Sequence, residues 1–174
     1  MSTSSLISHN VGYLRQALVL LDSISDAQFT ECRPPFFESG IGDHLRHIIE
    51  HYQCFLAGLP EGRVNYDARK RDGEIARDRA HAGLVVQGLL DGFQEMPGAD
   101  DDLEVCLDGS DNGGDEDPWS RSTARRELQY LQAHTVHHYA LIAFILRLQG
   151  CPPPPDFGVA PSTLRHRKAA SSRG

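Results

Sequence analysis

The chain has 174 residues, of which 40% are hydrophobic and 24% are charged, and its formal net charge is -7. This composition is typical of a folded protein with one core and excludes a disordered or membrane-embedded chain. The negative charge argues against a nucleic-acid partner, which would need a basic surface. No apolar run approaches the ~18 residues that span a bilayer, and the Ser-rich start lacks the features of a secretory signal. We therefore expect a cytoplasmic protein with no membrane partner.

Four segments show the apolar spacing of helices. The first is predicted to end before Pro34, because the Pro34-Pro35 pair cannot continue a helix. The second is expected to begin after Ser39, which has the side chain of an N-cap. The four segments lie at about residues 5–25, 40–59, 72–96 and 122–150. Together they predict an all-α fold, a four-helix bundle.

A small acidic insert is predicted between the third and fourth helices. Residues 103–107 (LEVCL) favour one strand of a hairpin, and the acidic loop 108–117 follows it. This loop has the opening spacing of an EF-hand calcium site, but Trp119 stands where the twelfth-position Glu is needed, so we predict a solvated loop. The bundle is expected to occupy residues 1–164, and residues 165–174 are expected to be a flexible tail.

The four cysteines are far apart in the sequence and contain no C-x-x-C pair. They are Cys32, Cys54, Cys106 and Cys151. This spacing disfavours a structural zinc knuckle or a thioredoxin-type site, and it favours free, mostly buried thiols.

The fourth predicted helix carries histidines within an apolar stripe. The residues that recur every three or four positions are Leu131, His134, His138, Leu141, Ile145 and Leu148. A buried imidazole needs a partner, because an unsatisfied buried polar group costs roughly 1–3 kcal/mol. His134 and His138 lie one turn apart on the same face, close enough to bind one metal ion.

The second predicted helix carries three more histidines, His44, His47 and His51. One of them facing the fourth helix would complete a three-imidazole site with open coordination positions, an arrangement typical of catalytic rather than structural metal sites. At about 100° per residue, His47 lies about 120° from the apolar seam of its helix, so periodicity prefers His44 or His51. Imidazole suits zinc, nickel, iron or copper, and spacing does not choose among them.

These motifs resemble the DinB-like metal-binding four-helix bundles, a family that includes bacillithiol and other thiol S-transferases. The matching segments are IGDHLRHIIEHY in the second helix, HTVHHYALIAFILRLQG in the fourth, and FGVAPSTL after it. In the family pattern a ligand follows a glycine by five residues, which selects His47 after Gly42. The resemblance thus implies one divalent ion, zinc or nickel, held by His47, His134 and His138.

The resemblance also assigns supporting roles around these ligands. His44 and His51 become neighbours or surface groups, and His137 lies at the rim. Glu50 and Tyr130, one turn from His47 and His134, are expected to accept from the second ring nitrogen of a ligand.

The segment that follows the second helix is expected near the mouth of the pocket. Arg69 or Arg71 could bind a carboxylate of an acidic substrate. The interpretation that we prefer is that Asp67 or Asp72 caps the third helix and that both arginines are solvated.

The leading hypothesis is a metal-dependent enzyme that transfers a small thiol onto an electrophile. No catalytic residue is assigned, since Thr135 stands where the Glu of an H-E-x-x-H metalloprotease would be. The alternatives are a metal-dependent hydrolase and a non-catalytic metal-binding stress or interaction protein. The expected partner is a small molecule such as a low-molecular-weight thiol, and the apolar face of the first helix leaves a homodimer open.

Overall fold

The computed structural model describes residues 3–96, 102–107 and 118–171. The α-helices in these ranges are α1 Thr3–Ser23, α2 Asp26–Thr30, α3 Ile41–Gly58, α4 Gly73–Arg77, α5 Arg79–Gln94, α6 Ala124–Leu148 and α7 Pro161–Ser171. The strands are β1 Arg63–Asn65, β2 Asp102–Cys106 and β3 Trp119–Thr123. A short 3₁₀ turn, Leu59–Glu61, follows α3.

The four long helices form the predicted bundle. Helices α1 and α3 each pack against both α5 and α6, so α3 and α6 are neighbours along their length. Their apolar faces meet in one core cluster that also contains residues of β1 and β2. The all-α four-helix fold is therefore confirmed, with a minor three-stranded sheet at one side.

Helix α3 follows its predicted apolar seam closely. Every residue of that seam is buried: Ile41, Leu45, Ile48, Tyr52, Phe55 and Leu59. The helix begins one residue later than predicted, because Gly40 rather than Ser39 is the N-cap. The Gly40 backbone N–H donates to the Asp43 carboxylate at 3.0 Å, which satisfies one of the free amides at the helix start.

The third predicted helix is broken in two. Asp78 has an extended backbone (φ -110°, ψ 105°), and its side chain accepts from the His81 backbone N–H at the start of α5. The same residue ends α4. The carboxylate of Asp78 therefore divides the predicted helix into α4 and α5, because an Asp side chain competes for backbone amides.

The predicted hairpin is present and is part of a larger sheet. Strands β2 and β3 pair antiparallel, and β1, which was not predicted, pairs parallel to β2. Strand β1 follows the 3₁₀ turn after α3, and its central residue Val64 is fully buried. The acidic loop 108–117, and with it the calcium-loop question, lies outside the described residues.

The core stripe of α6 matches the predicted seam only in part, at Leu131 and Ile145. Its buried residues include Leu128, Leu131, Thr135 and Tyr139, whereas Leu141 of the predicted seam is 37% exposed. The buried stripe runs on one side of the histidines and includes Thr135. Burial of this polar residue is tolerated because its hydroxyl donates to the Leu131 carbonyl oxygen at 2.7 Å. His134 and His138 consequently lie at the edge of the core, on the side of α3.

The segment after α6 packs back onto the bundle. Phe157 stacks on Tyr139 with ring centroids 4.6 Å apart, and the Tyr13 hydroxyl donates to the Val159 carbonyl at 3.0 Å. Residues 165–171 of the predicted tail are helical, as part of α7, which has no buried residue. None of the described helices is long and apolar enough to cross a membrane.

The cysteines form no disulfide bond among the described residues, as predicted, but fewer of them are buried than expected. Cys106 is buried, Cys54 and Cys151 are half-buried, and Cys32 is exposed.

Candidate metal centre

Four imidazoles meet where α3 faces α6. The His47 ring lies 4.9 Å from the His134 ring and 4.7 Å from the His138 ring, measured between centroids. The His51 ring lies 4.2 Å from His134 and 4.5 Å from His47. The structure thus brings together all three predicted ligands, together with His51.

The closest set of donor atoms differs by one residue from the predicted ligands. One ligand atom each from His47, His51 and His134 lie within 4.8 Å of one another, so these three residues could hold a metal ion. His138 lies beside this triplet, with its ring 4.6 Å from that of His134. The set His47, His134 and His138 therefore stays a prediction.

The four imidazoles of the cluster have lowered pKa values and therefore carry no charge near neutral pH. Burial lowers the pKa of His47 and of His51 to about 4, that of His138 to about 3 and that of His134 to about 2. Part of this lowering of the pKa of His47, His134 and His138 comes from the neighbouring imidazoles, which would repel a second positive charge. All four rings are then neutral near pH 7, the form that coordinates a metal.

One donor atom in the cluster has no partner. The Nε2 atom of His134 is buried and makes no hydrogen bond to any residue that the structure describes. A buried nitrogen without a partner is costly in a native fold, and a divalent ion would supply the missing interaction. The donor set and this orphan atom therefore fit a metal ion of the kind that imidazole binds.

His51 is held by hydrogen bonds at both ring nitrogens. Its Nδ1 lies 2.7 Å from the His47 carbonyl oxygen, which can only accept. Its Nε2 lies 3.2 Å from Nη1 of Arg69, which can only donate. These partners assign the proton to Nδ1, and the Nε2 lone pair of His51 is taken by Arg69.

Only one of the two arginines at the pocket mouth is solvated as the preferred interpretation predicted, since Arg71 is exposed and Arg69 is half-buried. Arg69 Nη1 donates to the Tyr66 carbonyl oxygen at 2.7 Å as well as to His51. Arg71 is exposed and has a positive φ of 52°. Asp72 caps α4 by accepting from the Glu74 backbone N–H at 2.9 Å, which confirms the preferred capping role.

His138 has a partner on α3. Its Nδ1 lies 3.1 Å from Nδ1 of His44, so one ring donates and the other accepts. When His138 is the donor in this pair, the lone pair on its Nε2 is not used by His44. His137 is exposed at the rim, as the resemblance implied.

The predicted supporting residues are placed differently. Glu50 is buried and accepts from the Asp72 backbone N–H at 2.6 Å, so this carboxylate fixes the loop before α4 rather than a histidine. The expectation for Glu50 was wrong because a backbone amide one loop away satisfies it. Tyr130 packs near the cluster, with its ring 5.4 Å from that of His134.

A chain of polar side chains beside the cluster was not predicted. The Tyr66 hydroxyl donates to the Glu127 carboxylate at 3.0 Å, and the Ser122 hydroxyl donates to the same carboxylate at 2.5 Å. The Tyr66 ring stacks on His51 at 5.4 Å. The available sequence signal was Glu127, seven residues before His134 and therefore on a similar face of α6.

The pKa shifts predict how the metal-free protein responds to acid. In the unfolded chain each histidine binds a proton near pH 6.5, whereas in the fold His47 and His51 bind one only near pH 4. Between these values the unfolded state binds more protons, so stability falls as the pH falls from 6.5 towards 4. Urea denaturation in the presence of a chelator should show this loss, and His47→Gln should reduce it. A flat profile over this window would contradict the neutral cluster.

The fold and the site together define a helical bundle with a histidine cluster that could hold a metal ion between two facing helices. The chain belongs to the DinB superfamily, whose pattern matches residues 14–142. It is also 33% identical over 106 residues to FK506-binding protein 5 of Rhizopus delemar. That match covers 60% of this chain and 28% of the relative, so the chain spans little more than a quarter of that protein. No solved structure matches the chain significantly.

Proposed function

We propose that this protein is a metal-dependent enzyme that transfers a small thiol onto an electrophile. One divalent ion, zinc or nickel, would be held by His47, His134 and His138. The observation that carries the proposal is the group of neutral imidazoles between α3 and α6, with the unpartnered Nε2 of His134 among them.

Hydrogen bonding supports this choice of ligands over the set that contains His51. The Nε2 lone pair of His51 is engaged by Arg69, and its Nδ1 carries the proton. His138 can donate from Nδ1 to His44 and so present its Nε2 lone pair to the ion. A ligand histidine that donates from its other nitrogen is the common arrangement in metal sites.

The surroundings of the cluster favour an anionic sulfur. When bound, a divalent ion would lower the pKa of a coordinated thiol, so that the reactive thiolate forms near neutral pH. Arg46 and Arg69 carry positive charges close enough to lower the pKa of His47. The same charges would stabilise a thiolate or a carboxylate next to the cluster.

The hydrogen bonds of the buried carboxylates near the site favour thiol transfer over hydrolysis. Water is far less acidic than a thiol, so a metal-bound water gains more from a general base placed beside it. Glu50 and Glu127, the buried carboxylates near the site among the described residues, accept hydrogen bonds from a backbone amide and from two hydroxyls. A thiol needs no such base once its proton is lost to solvent.

The reaction is balanced without an oxidant or reductant. The thiol sulfur forms a bond to the electrophilic carbon, the leaving group departs with its electron pair, and the thiol proton passes to water. His47, His134 and His138 each keep part of their surface exposed, which the approach of a small molecule to the cluster requires.

Thiol-dependent product formation tests the proposal. The zinc- or nickel-loaded protein is mixed with an alkyl or aryl halide and with each of several low-molecular-weight thiols, and the thioether is measured by mass spectrometry. We expect thioether only with both thiol and metal, and its loss on chelation. A water adduct formed without thiol would favour a hydrolase. Tight metal binding with no product would favour a non-catalytic protein.

A further inference from the structure

Arg69 is an unusual neighbour for a metal centre. It is half-buried, forms no ion pair with a described residue, and has a buried Nε without a partner. Its Nη1 contacts the very nitrogen that His51 would offer to a metal. A positive charge in this position opposes the binding of a cation to His51.

Contacts fix both the guanidinium of Arg69 and the imidazole of His51 that it touches. The Tyr66 carbonyl oxygen accepts from Nη1 at 2.7 Å, and the Tyr66 ring stacks on the imidazole of His51. The His47 carbonyl oxygen fixes the opposite side of that imidazole. His51 can therefore neither rotate its Nε2 away from Arg69 nor present Nδ1 without losing a hydrogen bond.

We infer that Arg69 selects the ligand set by holding His51 out of the coordination sphere. This inference rests on the proposed metal site. With Arg69 in place, the Nε2 lone pair of His51 accepts a hydrogen bond from the guanidinium and is not available to the metal ion. Without it, His51 becomes an additional ligand, and the open position needed for a substrate is filled.

The test is a double-mutant cycle on zinc affinity, measured by competition with a chromophoric chelator. Arg69→Met removes the charge and the donor but keeps an unbranched side chain. We expect it to tighten zinc binding by about 10- to 100-fold, a gain as large as the losses that substitutions of residues supporting a metal ligand cause. His51→Ala should leave the affinity of the parent protein unchanged and should abolish the gain in the Arg69→Met background.

A matched control separates this contact from general electrostatics. Arg46 also lies close enough to lower the pKa of His47, but its side chain makes no hydrogen bond to a histidine among the described residues. Arg46→Met should therefore give a much smaller gain than Arg69→Met. The visible absorption of the cobalt-loaded protein is a second readout, and it should change in Arg69→Met and be unchanged in Arg69→Lys.

The outcomes distinguish this inference from the proposed function. Equal zinc affinity in the parent and in Arg69→Met overturns the inference and leaves the metal site standing. A loss of affinity in His51→Ala as large as in His134→Ala also overturns it, because His51 is then a ligand already. Zinc binding by Arg69→Met but not by the parent overturns the function and supports the inference. No binding by either protein overturns both.

Discussion

Replacing His134 with alanine is expected to remove stable metal binding. His134 belongs to both the closest donor set and the predicted one, and its Nε2 is the atom left without a partner. Removing a ligand should weaken zinc binding by more than about 100-fold, beyond the effect of changes outside the first shell. Elemental analysis after gel filtration, together with a competition titration, measures the loss.

His137→Ala is the matched control for this variant. His137 lies on the same helix and is exposed, and its ring stands edge-on to that of His138 with the centroids 5.1 Å apart. We expect its metal content and affinity to equal those of the parent protein. Equal losses in both variants would mean that damage to α6, rather than removal of a ligand, explains the result.

Gly42→Ala is expected to cause a large loss of stability through overlap with a neighbouring helix. A Cβ at this position would overlap the backbone carbonyl oxygen of Ala76 in α4 and would lie 3.1 Å from the Phe29 ring. Backbone cannot move aside as a flexible side chain can, so α4 would have to separate from α3. Overpacking of this kind costs about 1–3 kcal/mol and occasionally more, and urea denaturation measures it.

Gly12→Ala is expected to have the opposite effect, a gain in stability. Gly12 lies within α1, and nothing lies within 4 Å of the Cβ that alanine would add. A glycine in a helix costs roughly 0.5–1 kcal/mol relative to alanine, so this variant should be more stable by about that amount. A destabilised Gly12→Ala together with an unaffected Gly42→Ala would contradict the packing described for α3 and α4.

The bundle could be predicted because the apolar spacing of its long helices is strong. The seam of α3 is an example, since all of its predicted residues are buried. The ends of the helices were harder to predict, because they depend on which polar side chain accepts a hydrogen bond from a free backbone amide. Asp78 splits one helix and Asp43 moves the start of another by a residue. Strand β1 needs a partner from the insert to form, so three residues of local pattern could not reveal it.

The site shows where periodicity alone fails. On α6 it placed His134 and His138 in the core stripe, whereas the core stripe includes Thr135 and Tyr139. On α3 it preferred His44 or His51, and His51 does belong to the closest donor set, but it disfavoured His47, which contacts three other imidazoles. A site at the edge between two helices follows neither helix's apolar seam, and the family resemblance selected His47 correctly as a member of the cluster.

The contacts that surround the imidazoles could not be predicted from spacing. The approach of Arg69 to His51 depends on the path of the loop after β1, and the approach of His44 to His138 depends on the relative rotation of two helices. Both are long-range consequences of packing. They decide which lone pairs remain free, and therefore which residues can bind an ion.

X-ray absorption spectroscopy of the zinc-loaded protein tests the central claim most directly. The claim is that imidazoles from α3 and α6 share one ion between the two helices. The account predicts three imidazole nitrogens at about 2.0–2.1 Å, no sulfur ligand, and at least one further position open to an exogenous thiol. A first shell with sulfur before thiol is added, or with fewer than two imidazoles, would contradict it.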